Sequence, residues 1–359
     1  MPTMTPVRLP QATSRLFAMS AGGSGALYFG SSPSPLYRYA PFSGTLTAIA
    51  TPLTDLPISA SLALGHRVYI LSQKSPTIAV YDTEKDDWST INLPHESANV
   101  WYGIVDEARQ SLWLIDRSND TLMCLNCQTE SVATFDYPYD NEIPGVAIGL
   151  NDGHRLLLVG TDPCGVGIFD RRSERFSKWI GSPWPEIEPT GVVPIPEDRL
   201  LIADRLRGRL AVYHLKSEIW ERPIEMPDHG SVYGFIGMGL PWDGGALFCL
   251  STYQGTMRYD RHANSFVSTG SVDSGLGVDG LPYHFMDRYL AFDPSDESVS
   301  YLAIDDPMDS YTQLCYGLVH DGHLYVTGND IYDSDTRVPD GGNVGPMTVW
   351  QSFPPQETT

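Results

Sequence analysis

Residues 80–94, VYDTEKDDWSTINLP, alternate between two short apolar stretches and a polar centre. The first stretch ends in Tyr81-Asp82, the second opens on Trp88, and Pro94 closes the segment. Two short apolar runs around turn-forming residues predict a β-hairpin. The same hairpin recurs with first positions at Tyr39, Tyr81, Leu125, Phe169, Tyr213, Tyr259 and Ile304, at intervals of 42, 44, 44, 44, 46 and 45 residues. Seven residues after each stands Leu46, Trp88, Val132, Phe176, Trp220, Phe266 or Tyr311, apolar every time. An eighth first position, Trp350, lies 46 residues beyond Ile304, and its partner strand is missing downstream.

Upstream of each hairpin is a further apolar strand: LYF at 27–29, VYI at 68–70, LWL at 112–114, LLL at 156–158, LLI at 200–202, LFC at 247–249, RYL at 288–290 and LYV at 324–326. A fourth strand precedes that one. It is marked by a small residue at Ala18, Ser61, Gly103, Gly145, Gly191, Gly234, Gly280 and Gly317. Four short strands repeated every 42–46 residues predict the blades of a β-propeller. The small-residue column belongs to the innermost strands, which crowd around the axis, where a side chain would collide with its neighbours. The remaining strands read as apolar runs because blades bury both faces.

The pattern therefore predicts an all-β chain: an eight-bladed propeller, with seven blades as the alternative, built from four-stranded antiparallel blades and forming one domain over residues 1–359. Residues 5–10, TPVRLP, are similar to the TINLP ending at 90–94 and are expected to supply the missing outer strand of the last blade. Ring closure by the N-terminal strand removes the open edges of an unclosed repeat.

The hairpin YDTEKDDW resembles the kelch-type repeat, whose signature is a Tyr-Asp pair with Trp six residues after the Asp. The match is full in one unit and partial in the others, and a kelch double glycine occurs once, at Gly244-Gly245. The resemblance implies the propeller architecture and brings no activity with it. In being a stand-alone propeller without an appended recruitment domain, the chain also resembles the streptogramin lyase-type proteins. In length and divergent repeats it is similar to the fungal propeller hetero-Diels–Alderases of tropolone-sesquiterpene biosynthesis. No residue role is carried over from either.

Composition leaves this picture intact, with 42% hydrophobic, 11% aromatic and 19% charged residues, and with 33 Gly and 28 Pro scattered as many tight turns require. A net charge of −21 would repel a phosphate backbone or an anionic bilayer, so neither nucleic acid nor membrane is an expected partner. No apolar run reaches membrane-spanning length, and the N-terminus lacks a signal-peptide core. With five Cys in no framework spacing, the expected location is the cytoplasm.

Propellers bind ligands at one mouth of the axial channel. That mouth is formed by the connections from outer strand to next inner strand and from second to third strand. The first set brings Trp101, Tyr102, Asn141, Glu142, Glu186, Glu188, His229, Tyr233, Asp279, Gln313 and Tyr316 towards the axis. Tyr102, Tyr233 and Tyr316 each precede a column Gly and can donate hydrogen bonds or stack on an apolar ligand. The second set adds Arg117, Asp162, Asp204, Arg205, Arg207 and Tyr253. Asp-Arg at 116–117 and again at 204–205 reads as local ion pairs of small weight. Spacing from second to third strand is 11 or 12 in six units, 15 from Tyr289 to Ile304, and 25 from Tyr325 to Trp350. The last blade thus carries an insertion at 329–345, including Asn329 and Tyr332, which reads as a lid or pocket wall.

Local metal and redox motifs are incomplete. Cys124 and Cys127 have CxxC spacing but fall on a hairpin, with no second ligand pair for zinc. Asp333, Asp335 and Asp340 have calcium-loop spacing, broken by Arg337 and lacking the closing acid. No metal and no cofactor are expected. These features favour a small-molecule enzyme, with a cyclase of hetero-Diels–Alder type as the first reading. Trp101, Tyr102, Tyr233, Tyr253, Asp279, Tyr316, Arg205, Asn329 and Tyr332 would bind substrate, and Glu142, Glu188 or His229 would supply acid–base catalysis. A kelch-type protein scaffold, a metal-assisted lyase and a lectin are the alternatives.

Overall fold

A computed structural model describes residues 5–8, 15–32, 35–53, 56, 58–72, 74–138, 147–151, 153–161, 164–184, 189–204, 209–225, 239–242, 245–249, 257–260, 265–268, 288–293, 295–303, 311–321, 323–332 and 348–351. The regular elements among these residues are β-strands, apart from one 3₁₀ turn at Glu107–Arg109. No helix among them is long and apolar enough to cross a membrane.

The repeated hairpin forms as the spacing predicts. Tyr39 lies opposite Leu46, Tyr81 opposite Trp88, Leu125 opposite Val132, Phe169 opposite Phe176, Tyr213 opposite Trp220 and Tyr259 opposite Phe266. The residue after the first position caps the turn. Asp82 Oδ1 accepts the N–H groups of Glu84 and Lys85, both at 3.1 Å. Asn126 and Asp170 accept their own turn N–H groups at 2.8–3.0 Å. The last turn residue is left-handed, with φ of 65° at Gly44, 54° at Asp86, 58° at Glu130, 54° at Glu174 and 59° at Glu218. This geometry matches the twist of the flanking strands. Tyr81 packs on Trp88 with ring centroids 5.0 Å apart and donates its phenol to Asp86.

Second, third and outer strands line up antiparallel on an inner strand. Seven inner strands occur among the described residues: Arg15–Ala21, Ile58–Leu64, Val100–Asp106, Ala147–Asn151, Pro189–Ile195, Gly239–Trp242 and Tyr311–His320. Each packs against the next, and the last packs against the first, so the inner strands form a ring. The first two units are joined by a single parallel bridge, Ala18 to Ala60. In the fifth unit the outer strand is split into Ile219–Trp220 and Ile224–Glu225, both paired with Arg209–His214. Pro223, which has no N–H to donate, lies in the break.

Ring closure follows the expected route: Thr5–Arg8 pairs antiparallel with Thr348–Gln351, Val7 opposite Val349. The eighth unit does not form among the described residues. Gly245–Cys249 pairs directly with Arg288–Asp293, which continues into Ser298–Ala303. Two units counted in the sequence thus merge into one four-stranded sheet, and the hairpin Met257–Asp260 with Ser265–Ser268 stands apart from it. Tyr311, expected on an outer strand, instead opens the last inner strand opposite Tyr332.

The core lies in the seams between units. Along Arg67–Ser72, Val68 and Ile70 pack into the first seam, while Tyr69 and Leu71 pack into the second. Burial of both faces explains the unbroken apolar runs. Further clusters fill the third-to-fourth, fourth-to-fifth and seventh-to-first seams. The small-residue column has a measurable cause at Gly103, where a Cβ would lie 2.8 Å from Leu62 Cδ1 of the neighbouring inner strand and 2.6 Å from Leu114 Cδ2.

Candidate functional site

Each inner strand enters the ring from the mouth, and most do so through a β-bulge. Register shifts occur between Leu16 and Met19, Ile58 and Ala60, Val100 and Gly103, Pro189 and Gly191, and Leu314 and Tyr316. An extra residue bends a strand and re-aims the backbone around it. Column residues Ala18, Ser61, Gly103, Gly191 and Gly317 all lie in a bulge or directly beside one. Trp101 and Tyr102 fall within the bulge of the third inner strand, and Tyr316 closes that of the seventh.

Hydroxyl bonds tie neighbouring units together, that of Ser59 at the strand entrances and those of Ser61 and Ser20 further along the strands. Ser59 Oγ donates to the Val100 carbonyl at 2.8 Å, Ser61 Oγ to that of Tyr28 at 2.9 Å, and Ser20 Oγ to Ser61 Oγ at 3.4 Å. The connection leading into Trp101 is anchored by Asp116, whose side chain is wholly buried at the end of the second strand of the third unit. Its carboxylate accepts the N–H groups of Asn99 at 3.0 Å and Ser118 at 3.1 Å, and Asn119 Nδ2 at 2.7 Å. Arg117 N–H returns to the Asn99 carbonyl at 3.1 Å. Asp116, expected in a local ion pair with Arg117, is in addition a buried anchor, because the end of an apolar strand carries it inside the seam. Asp204, at the equivalent strand end in the fifth unit, is also fully buried and accepts Arg209 Nε at 2.8 Å. That guanidinium lies 5.7 Å from the Trp184 ring centroid.

The mouth is uneven. Two to four residues link second to third strands in each of the first five units. In the sixth unit, 38 residues, 250–287, separate Cys249 from Arg288 and carry the detached hairpin. In the seventh, 15 residues, 333–347, separate Tyr332 from Thr348. The seventh unit is taller as well: Tyr311–His320 and His323–Tyr332 are ten residues each, against four to seven in the other inner strands. Their turn at Asp321 is on the far face, so the added length rises on the mouth side, with Tyr311 opposite Tyr332 and Gln313 opposite Asn329. Asn329 and Tyr332, expected in an inserted loop, therefore belong to this raised strand.

Trp101 and Tyr102 on the third inner strand, and Tyr316, Asn329 and Tyr332 on the seventh unit, stand on different sides of the ring with two units between. Glu142, Glu188, His229, Arg205, Tyr233, Tyr253 and Asp279 lie outside the described residues, the last two within the 250–287 connection. Sequence reasoning named Asp116 without its anchoring role, and missed Asn99 and Ser59. A single acid ending the run LWLI, followed by Arg-Ser-Asn-Asp, was the available signal for the first.

No group of three metal-binding side chains occurs among the described residues. Cys124 and Cys127 are free thiols, and burial pushes Cys124 up to about 11 and raises Cys127 as well. That is the opposite of an activated thiolate.

No family model and no curated protein sequence matches the chain. Solved structures do. A streptogramin B lyase aligns with a TM-score of 0.68 at 10% identity over 98% of both chains. A selenomethionine-substituted virginiamycin B lyase from Staphylococcus aureus aligns at 0.68 and 9% identity, covering 98% of this chain and 99% of that one. A catalytically inactive form of virginiamycin B lyase from the same organism, with quinupristin, aligns at 0.65 and 11% identity, with the same coverage. The four-stranded units, the inner ring and these alignments together identify the chain as a β-propeller of the fold seen in streptogramin B lyases.

Proposed function

We propose that this chain is a small-molecule enzyme working at the mouth of the propeller channel. Its site is bounded by the long connections of the sixth and seventh units. The observation that carries the reading is the concentration of extra chain on one side of an otherwise even mouth. A propeller needs none of that chain to close, and added loops on a regular scaffold serve ligands more often than stability.

The reaction we favour is a cyclisation of hetero-Diels–Alder type joining two substrates in natural-product biosynthesis. Gln313, Tyr316, Asn329 and Tyr332 of the seventh unit offer phenols and amides, and Trp101 and Tyr102 of the third unit would face them from across the mouth. Such groups hold two reactants in a near-attack arrangement and polarise a carbonyl oxygen by hydrogen bonding. The second reading is a lyase acting on a cyclic substrate, favoured by the solved structures of the same fold being lyases. It requires a general base, for which Glu142, Glu188 and His229 are the candidates.

Metabolite profiles of the native host with and without this chain separate the readings. A cyclase predicts that its loss removes a product whose mass is the sum of two accumulating compounds. A ring-opening lyase predicts a cyclic compound accumulating with no change in mass. An unchanged profile would remove both.

A further inference from the structure

Each of the seven units ends in an outer strand whose far side pairs with no other strand among the described residues. Such an edge offers its N–H and C=O groups to any further strand, and charged side chains are the usual guard against that. Six of these edges carry the guard. Asp87 opens the outer strand of the second unit, Asp136 closes that of the third, Arg175 and Lys178 lie on that of the fourth, and Arg8 closes that of the seventh. Glu218 and Glu221 flank Ile219–Trp220 in the fifth unit, and Glu297 precedes Ser298–Ala303 in the sixth.

The first unit is the exception. Its outer strand, Thr45–Ile49, reads TLTAI, and no charged residue occurs from Tyr39 to Thr54. Leu46 and Ile49 turn towards the seams on either side, while Thr45, Thr47 and Ala48 are exposed. Phe42, in the turn leading into the strand, is fully exposed. Arg38, opposite Thr47 on the third strand, is the exposed charge one strand inwards.

We propose that this edge is where the chain associates with a second copy of itself, the two Thr45–Ile49 strands pairing antiparallel about a twofold axis at Thr47. Charge selects the occupant. At −21, two copies repel one another over most of their surface and approach most readily where neither is charged. The strand is also self-complementary. Pairing about Thr47 sets Thr45 opposite Ile49 on one face and Leu46 opposite Ala48 on the other, so β-branched residues meet and a large residue meets a small one. The two Arg38 residues then stand three strand spacings apart, about 14 Å, which is beyond the screening length of physiological salt. The same axis carries Phe42, at the head of one strand, to the tail of the other. Outer strands run along the propeller axis, so antiparallel pairing turns the two mouths in opposite directions and leaves both open. The pairing is therefore independent of what the mouth does. A five-residue edge buries less than a standard interface, so the dimer is reversible, with a Kd in the micromolar range.

Sedimentation equilibrium of the native protein from micromolar to millimolar concentration should show a monomer–dimer transition. Thr47→Lys sets like charges opposite each other at the axis and should leave a monomer at every concentration, with the Tm of the dilute native protein kept within a few degrees. Register is read separately. Under mild oxidation Thr47→Cys should cross-link to its own copy, whereas Thr45→Cys, facing Ile49 of the other strand, should not. A native protein that stays monomeric throughout, a dimer that survives Thr47→Lys, or cross-linking at 45 and not at 47 would overturn the proposal.

Discussion

Gly30 shows how little room a seam leaves at a single residue. A Cβ there would stand 2.2 Å from Ile58 Cγ2 and 2.7 Å from Ile58 Cβ, and a β-branch point cannot swing away as a terminal methyl can. Gly30→Ala is therefore expected to cost about 1–3 kcal/mol in denaturant unfolding. Gly103→Ala meets the terminal methyls of Leu62 and Leu114 most closely, with the Trp113 carbonyl oxygen at 3.2 Å, and should cost less. The hairpin phenols report on packing through pH. Burial first, and then the donation to Asp86, pushes Tyr81 up to about 12 from an ordinary 10, and burial does the same to Tyr213. A phenol raised in the folded state contributes stability that is complete below pH 10 and is lost as pH rises from 10 to 12. Alkaline unfolding should fall in that window, and Tyr81→Phe should flatten it; a pH-independent midpoint there would contradict the assignment.

At the scale of elements, local chemistry was legible and non-local pairing was not. The columns led by Tyr39 and Tyr81 predicted the cross-strand partners of six hairpins, because the turn caps and facing aromatics are written within eight consecutive residues. Tyr259, Asp260 and Phe266 carry the same signature, yet their hairpin stands outside the sheet. Nothing local to Cys249 announces that its neighbour is Tyr289, across 39 intervening residues. The expected eighth unit came from that gap. Excising residues 252–285 and bridging with a short Gly-rich turn should therefore leave a cooperatively folded ring, with Phe248 still opposite Leu290. Loss of folding by circular dichroism would show that the excised hairpin is part of the sheet. The site was legible to a similar degree: chain length betrayed the seventh unit, whereas the bulges at Val100–Gly103 and Leu314–Tyr316 depend on register, which spacing does not record.

The whole molecule divides into a scaffold that closes on itself and an addition that the scaffold does not need. Thr5–Arg8 completes the last sheet, the seams hold the core, and the inner strands are bonded to one another at the mouth. On that ring, the sixth and seventh units alone carry long second-to-third connections among the described units. The central claim is that this added chain is the functional part. Replacing residues 334–345 by a four-residue turn, and following thermal unfolding and the host's metabolite profile on the same variant, tests it most directly. The account predicts a Tm within a few degrees of the native protein together with loss of the coupled product. An unchanged profile in a folded variant would contradict it.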